Sequence, residues 1–333
     1  MKLIVFPPLD DTRLTRIRQA AAPMQVVSPS DEQQALAEIR DADAFFGKLT
    51  PPLLAAAQQL RWVQAPTASL EHYLFPELIA HPSKLTNMRG LYSDVVAEHA
   101  IGMLIALCRN FPQYVRQQQH DHWAPVGGEE ARGDFISGPG TVTAIDRAHR
   151  HLAGSTLGIV GLGEIGREIA RKAVAFDLRL VAVDPHTDQK VPGVEMIWPP
   201  AELDELLTAS DFVIIAAPHT PQTAGLFGRT QFERMMRTAY LINVGRGAIV
   251  NLSDLAAALA AGDIAGAGLD VFETEPLPAE HPLWRMDNVI LTPHIAGYGT
   301  QIAGRHLQVV LDNVARFVRG ETLLNEVDKA RWY

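Results

Sequence analysis

The sequence predicts an α/β protein built on parallel sheets, in two successive series. Three observations carry that expectation. Strand-like and helix-like segments alternate almost throughout the 333 residues, as in strand–helix–strand units with crossover helices. Several strand candidates are apolar at both parities, as strands covered on both faces are. A glycine-spaced turn in "GIVGLGEIG" (158–166) separates an apolar strand from an amphipathic helix.

In the first series, "KLIVF" (2–6), "AFFG" (44–47) and "RWVQA" (61–65) read as strands, with helices around 11–21, 31–40 and 52–59. "SDVVAEHAIGMLIALCRNF" (93–111) has no interior proline and is apolar on several sides. It is expected to form one long buried helix, with Ser93 as its N-cap. Residues 125–150 are rich in Gly and Pro, sustain no period and read as an extended connector. Such a connector is either an arm packed on a neighbouring subunit, the favoured reading, or a flap beside a site. Six strand candidates follow at 156–163, 178–184, 211–217, 239–245, 266–272 and 288–293. A last helix, from about Gln301 to Arg319, is expected to carry the chain back toward the first series.

Composition narrows the function classes. With 47% hydrophobic and 20% charged residues, the chain suits about two globular domains that bury their cores without disulfides or metals. One cysteine, Cys108, rules out an internal disulfide and a Cys-rich metal framework, so no metal is expected; this fits a reducing cytoplasm. The net charge of −9 argues against nucleic acid as a partner. The apolar run in "MKLIVFPPLDD" is too short for a signal peptide. The longest apolar stretch, 95–108, contains Glu98 and His99 and is too short to span a bilayer. A cytoplasmic protein with no membrane partner is expected.

Gly161, Gly163 and Gly166 have the G-x-G-x-x-G spacing, a weak signal alone. Here an apolar strand leads in and a helix leads out, which is the context of a dinucleotide site. The first glycine permits the tight turn, the second lets backbone approach a pyrophosphate, and the third lets helix and strand pack closely. Glu164 and Ile165 open the helix whose N–H groups and dipole favour the anion. The next strand ends in Asp184, at the distance expected for the acid that binds an adenosine ribose. That carboxylate disfavours a 2′-phosphate, and the loop "DPHTDQK" brings no immediate arginine. NAD is expected over NADP, although His186 leaves some room for dual use.

Ligands of open α/β sheets bind beyond the carboxyl ends of the strands. Arg246 follows "LINVG", Glu275 comes soon after "GLDVF", and His294 follows "VILTP". Singly, such residues are more often surface ion-pairing or hydrogen-bonded structural groups. Beside a nucleotide site they are a cation, an acid and an imidazole, the set that a 2-keto acid requires. Arg246 can hold the carboxylate and polarise the keto oxygen. His294 can give or accept the proton while Glu275 orients its ring.

With "GLGEIG" (161–166), "AAPHTPQT" (216–223), "NVGRGAIV" (243–250), "GAGLDVFETEP" (266–276) and "LTPHIAG" (291–297) in this order, the chain resembles the D-isomer-specific 2-hydroxyacid dehydrogenase family over most of its length. The resemblance implies two Rossmann-like or flavodoxin-like domains. A coenzyme domain (96–298, with the connector) is inserted into a discontinuous substrate domain (1–95 and 299–333), usually in a homodimer. It puts Arg246, Glu275 and His294 on the catalytic arginine, glutamate and histidine, and Asp270 on the acid that contacts the nicotinamide carboxamide. Pro218, Thr220 and Val244 join the cofactor-lining residues. Ala68 and Ser69, in "QAPTASLEHY" (64–73), fall in the loop that holds the substrate carboxylate. Lys48 is a second cation for the substrate or an ordinary solvent-facing lysine. Two departures stand out: "PTASLE" replaces a glycine-containing turn, and the connector is longer than is common.

The function this implies is NAD-dependent interconversion of a 2-keto acid and a D-2-hydroxy acid, of the glyoxylate or hydroxypyruvate type. Formate-type oxidation on the same fold is one alternative, but the related enzymes pair the histidine with glutamine. The other is an NADH-sensing binding protein like the corepressors that resemble this family; the acidic charge and the lack of a basic tail weigh against it.

Overall fold

The computed structural model describes residues 1–129 and 141–332. Residues 130–140 of the expected connector lie outside the described residues. The chain divides into two compact units, Met1–Tyr92 with Gly299–Tyr333, and Ser93–Tyr298. The first boundary therefore falls at 92/93 rather than 95/96, because the helix from Ser93 belongs wholly to the second unit.

The first unit has a five-stranded parallel sheet: β1 (Lys2–Phe6), β2 (Gln25–Val27), β3 (Ala44–Gly47), β4 (Trp62–Gln64) and β5 (Lys84–Thr86), in the order β2-β1-β3-β4-β5. The helix Ile302–Arg319 returns to this unit, with Leu307, Val310, Val314 and Phe317 packed among Leu3, Val5, Phe46 and Trp62. A buried polar cluster fixes its register. Asn313 donates to Gln64 Oε1 at 2.8 Å and accepts from Leu324 N–H at 2.7 Å. Thr86 donates to the same Gln64 oxygen at 2.8 Å and accepts from the Trp62 indole at 2.9 Å. Such groups, once buried, are costly unless paired, and here each is.

The second unit holds a seven-stranded parallel sheet. Its strands are β6 (Thr156–Val160), β7 (Arg179–Val183), β8 (Val194–Trp198), β9 (Phe212–Ile215), β10 (Tyr240–Asn243), β11 (Gly266–Leu269) and β12 (Val289–Leu291), in the order β12-β11-β10-β9-β6-β7-β8. β6, β9 and β11 are buried along their full length, and β10 at all but its first residue, which accounts for their apolar runs. The order reverses between β6 and β9, the switch point at which doubly wound sheets bind ligands. Since all strands are parallel, the segments after β6, β7, β9, β10, β11 and β12 leave the sheet at one edge.

Three expectations need correction. β2, β5 and β8 have no counterpart among the strands expected from sequence; all three are edge strands of three to five residues with exposed positions. The helix expected over 93–111 ends at Cys108, and Ser93 is its first helical residue rather than its cap. Asn110 takes the left-handed conformation (φ 57°), and a new helix, Phe111–Gln119, starts with Pro112 in its first turn, where proline is tolerated. Finally, the connector is not wholly extended: Ala144–Ala148 form a short helix, closed by a capping box between Thr143 and Asp146.

Candidate active site

The glycine turn follows β6. Gly161 has φ +95°, and a Cβ there would lie 2.8 Å from Ala217 Cα, so both backbone sign and space require glycine. At Gly166 a Cβ would come within 2.0 Å of the Gly161 carbonyl oxygen, which explains the close approach of the helix Glu164–Ala173 to the strand. Gly163 differs: a Cβ there would meet no protein atom within 4 Å. Its glycine leaves the helix N-terminus open to an anion, with Glu164 exposed and Ile165 half-buried beside it. The turn thus fits a dinucleotide pyrophosphate.

Asp184, buried at the end of β7, ties two loops together. Its Oδ2 accepts the Leu162 N–H of the glycine turn at 2.7 Å, and its Oδ1 accepts His186 N–H at 2.9 Å. After β9, the Thr223 hydroxyl accepts from Thr220 N–H at 2.8 Å and donates to Pro218 O at 2.7 Å, shaping that turn. Thr220 is buried and Pro218 exposed. Val244, also buried, donates its N–H to Ile215 O at 3.2 Å, joining the turns after β9 and β10.

Arg246 is half-buried, with extended backbone, and donates to Gly245 O at 2.6 Å. The fully buried Asn243 side chain forms its turn, accepting from Gly245 N–H and donating to Arg246 O, both at 3.0 Å.

The ends of neighbouring strands β11 and β12 bring Asp270, Glu275 and His294 together. His294 Nδ1 lies 2.8 Å from Glu275 Oε2, with about half of the imidazole exposed. Glu275 Oε1 accepts Phe272 N–H at 3.0 Å, so the carboxylate is itself anchored. His294 has φ +54°, a left-handed conformation costing about 1–2 kcal/mol for a residue with a Cβ. Its N–H donates to Asp270 O at 2.8 Å and Thr292 O at 3.0 Å. The next two N–H groups, of Ile295 and Ala296, donate to the Asp270 carboxylate, each at 2.9 Å. This is an anion-binding nest closed by the protein's own carboxylate. Asp270, expected from resemblance as a nicotinamide contact, is 1% exposed and is spent largely on this turn.

In the first unit, the loop at Pro66–Ser69 is held through its carbonyls. Pro66 O accepts from His306 at 2.9 Å, Thr67 O from Met88 N–H at 3.1 Å, Ala68 O from Asn87 at 2.7 Å and Ser69 O from the Thr67 hydroxyl at 2.7 Å. The N–H groups of Thr67, Ala68 and Ser69 make no hydrogen bond among the described residues. Lys48 is exposed, its ammonium 5.6 Å from the Tyr73 ring centroid.

Sequence reading did not single out Asn243, which forms the turn carrying Arg246, or Thr292, whose hydroxyl donates to Asp270 Oδ1. Asn243 and Thr292 stand inside quoted motifs, and a polar side chain at the end of an apolar strand was the available signal. Among the described residues there is no group of three His, Cys, Asp or Glu side chains able to hold a metal, and no helix long and apolar enough to cross a membrane.

A seven-stranded sheet in this order, with a glycine turn opening a helix at the switch point, defines a Rossmann-type dinucleotide-binding unit. The model of the D-isomer specific 2-hydroxyacid dehydrogenase NAD binding domain matches residues 101–296. The glyoxylate reductase of Thermofilum pendens is 34% identical over 305 residues, 88% of this chain and 83% of that protein. The mouse glyoxylate reductase/hydroxypyruvate reductase is 30% identical, over 82% of this chain and 78% of that protein. Among solved structures, a D-isomer specific 2-hydroxyacid dehydrogenase family protein from Aeromonas salmonicida has TM-score 0.75 at 29% identity, covering 98% of this chain and 99% of that one. The NADPH-dependent glyoxylate/hydroxypyruvate reductase of Sinorhizobium meliloti has TM-score 0.78 at 26% identity, covering 100% and 99%. The chain belongs to the D-isomer specific 2-hydroxyacid dehydrogenase family, and is an oxidoreductase of that class.

Proposed function

We propose that this dehydrogenase interconverts a small 2-keto acid and its D-2-hydroxy acid with NAD, using His294 as acid/base, Glu275 as its partner and Arg246 to bind substrate. The 2.8 Å contact between His294 Nδ1 and Glu275 carries the reading. An ionised carboxylate only accepts hydrogen bonds, so Nδ1 holds a hydrogen and Nε2 is the nitrogen that exchanges the catalytic proton. Nicotinamide, when bound, supplies or receives the hydride. His294 protonates the keto oxygen in reduction and deprotonates the hydroxyl in oxidation, while Arg246 holds the carboxylate and polarises the keto group. In the first unit, the N–H groups of Ala68 and Ser69, which make no hydrogen bond among the described residues, suit a carboxylate as well; Lys48 is a candidate for a further anionic group.

Gly161, Gly163, Glu164, Ile165 and Gly166 would hold the pyrophosphate. Asp184 would take the ribose, and Pro218, Thr220, Val244 and Asp270 would line the remainder. A fixed carboxylate about 4 Å from a 2′-phosphate costs up to a few kcal/mol at an effective dielectric near 20, so Asp184 favours NAD over NADP. The names of the Thermofilum and mouse relatives favour a substrate of the glyoxylate or hydroxypyruvate type. Phe111, Val115 and Trp123 are exposed on and just after the helix Phe111–Gln119, an apolar surface suited to a second copy of the chain. Location in the cytoplasm fits the single, buried cysteine.

The test is NADH oxidation by the purified protein, followed by absorbance, against 2-keto acids varied in size and charge. Turnover with one or a few of them supports the assignment. Tight NADH binding with silence across the panel would favour the sensor reading instead.

A further inference from the structure

We propose that His99, remote from His294 in sequence and carried on the helix Ser93–Cys108, is a positioning residue for His294, acting through Thr292 and Asp270. The inference rests on the reading of His294 as the acid/base. Its starting point is the left-handed backbone of His294. An imidazole on a residue in that conformation stays aimed only while the turn around it is over-determined. Here the N–H groups of residues 295 and 296 close on the two oxygens of Asp270. The aim of His294 therefore depends on where that carboxylate is held.

The carboxylate is held by a chain of donors whose direction is fixed by chemistry. Asp270, ionised, only accepts, so the Thr292 hydroxyl donates its one proton to Oδ1, at 2.6 Å. With that proton committed, Thr292 Oγ1 meets His99 Nε2, at 2.9 Å, as an acceptor. His99 Nε2 therefore carries a hydrogen, and the order of donation runs from His99 to Thr292 to Asp270. His99 Nε2 is also 3.7 Å from Asp270 Oδ1, so the imidazole blocks the carboxylate from swinging toward the helix.

His99 is a partly buried polar side chain. The helix is otherwise largely apolar, and Val96, Ala100 and Met103 on it are buried. A leucine at 99 would continue that surface but leave Thr292 Oγ1 without this donor. A donor of the right reach serves the Thr292 hydroxyl instead. Displacement of a catalytic group by about 1 Å costs on the order of a hundredfold in rate, so losing one tether of several is expected to cost about tenfold.

The test measures kcat and KM with the best 2-keto acid, together with NADH affinity, for His99→Leu, His99→Gln, Thr292→Val and the His99→Leu/Thr292→Val double variant. His99→Leu is expected to lower kcat about tenfold with NADH affinity unchanged. His99→Gln, whose amide N–H reaches as Nε2 does, is expected to restore most of it. The double variant is expected to be no worse than the poorer single one, because both cut the same chain. Wild-type kcat in His99→Leu, failure of His99→Gln to rescue, or losses that multiply in the double variant would each overturn the proposal. If His99→Leu does not fold, His99→Asn, whose shorter amide stops short of Thr292, takes its place: a loss of kcat that His99→Gln does not share supports the proposal, and wild-type kcat overturns it. Full turnover in His294→Ala would instead sink the acid/base reading beneath it, which keeps the two failures distinct.

Discussion

Glu275 holds His294 with one oxygen and its own backbone with the other: Oε2 is 2.8 Å from Nδ1, and Oε1 accepts Phe272 N–H at 3.0 Å. The carboxylate is therefore fixed before it fixes the ring, although both side chains are partly exposed. In the proposed mechanism its part is orientation more than stability, since exposed pairs contribute little to folding.

Glu275→Gln keeps one acceptor oxygen for two donors and loses the charge. We expect kcat to fall about tenfold to a hundredfold, less than the 10²–10⁴-fold typical of a lost acid/base, with little change in thermal stability. Steady-state kinetics across pH, with a melting curve, checks it. Wild-type kcat and an unmoved pH profile would remove Glu275 from the proposed pair.

Asp184 restrains Leu162 and His186, and the proposed cofactor preference gives the same side chain a second task, discrimination against a 2′-phosphate. Asp184→Ala is expected to weaken NADH more than NADPH, shifting the ratio of affinities by about tenfold or more. Titration of both cofactors by fluorescence reads this directly. An unchanged ratio, with both affinities lowered equally, would leave Asp184 as a loop tether only.

Much of the second sheet was legible because its inner strands are covered on both faces and show continuous apolar runs. β2, β5 and β8 were not, since short edge strands with exposed positions lack that pattern. The break after Cys108 was signalled by "RNFP", but a left-handed asparagine is a property of the turn that apolar periodicity overlooks. In the site, the glycine spacing and the three polar residues stood out because chemistry-bearing groups follow apolar strands. Asn243, Thr292 and His99 did not, because their meaning lies in contacts: His99 and Thr292 are 193 residues apart in the chain. The left-handed backbone of His294 also has no sequence signature, and it explains why Asp270 faces the turn.

The role of His294 as acid/base is tested most directly by single-turnover reduction of the best 2-keto acid by enzyme-bound NADH, in wild type and His294→Ala. The rate is expected to fall about 10²–10⁴-fold in the variant, with NADH affinity nearly unchanged. A rate close to wild type, with NADH bound equally well, would contradict it.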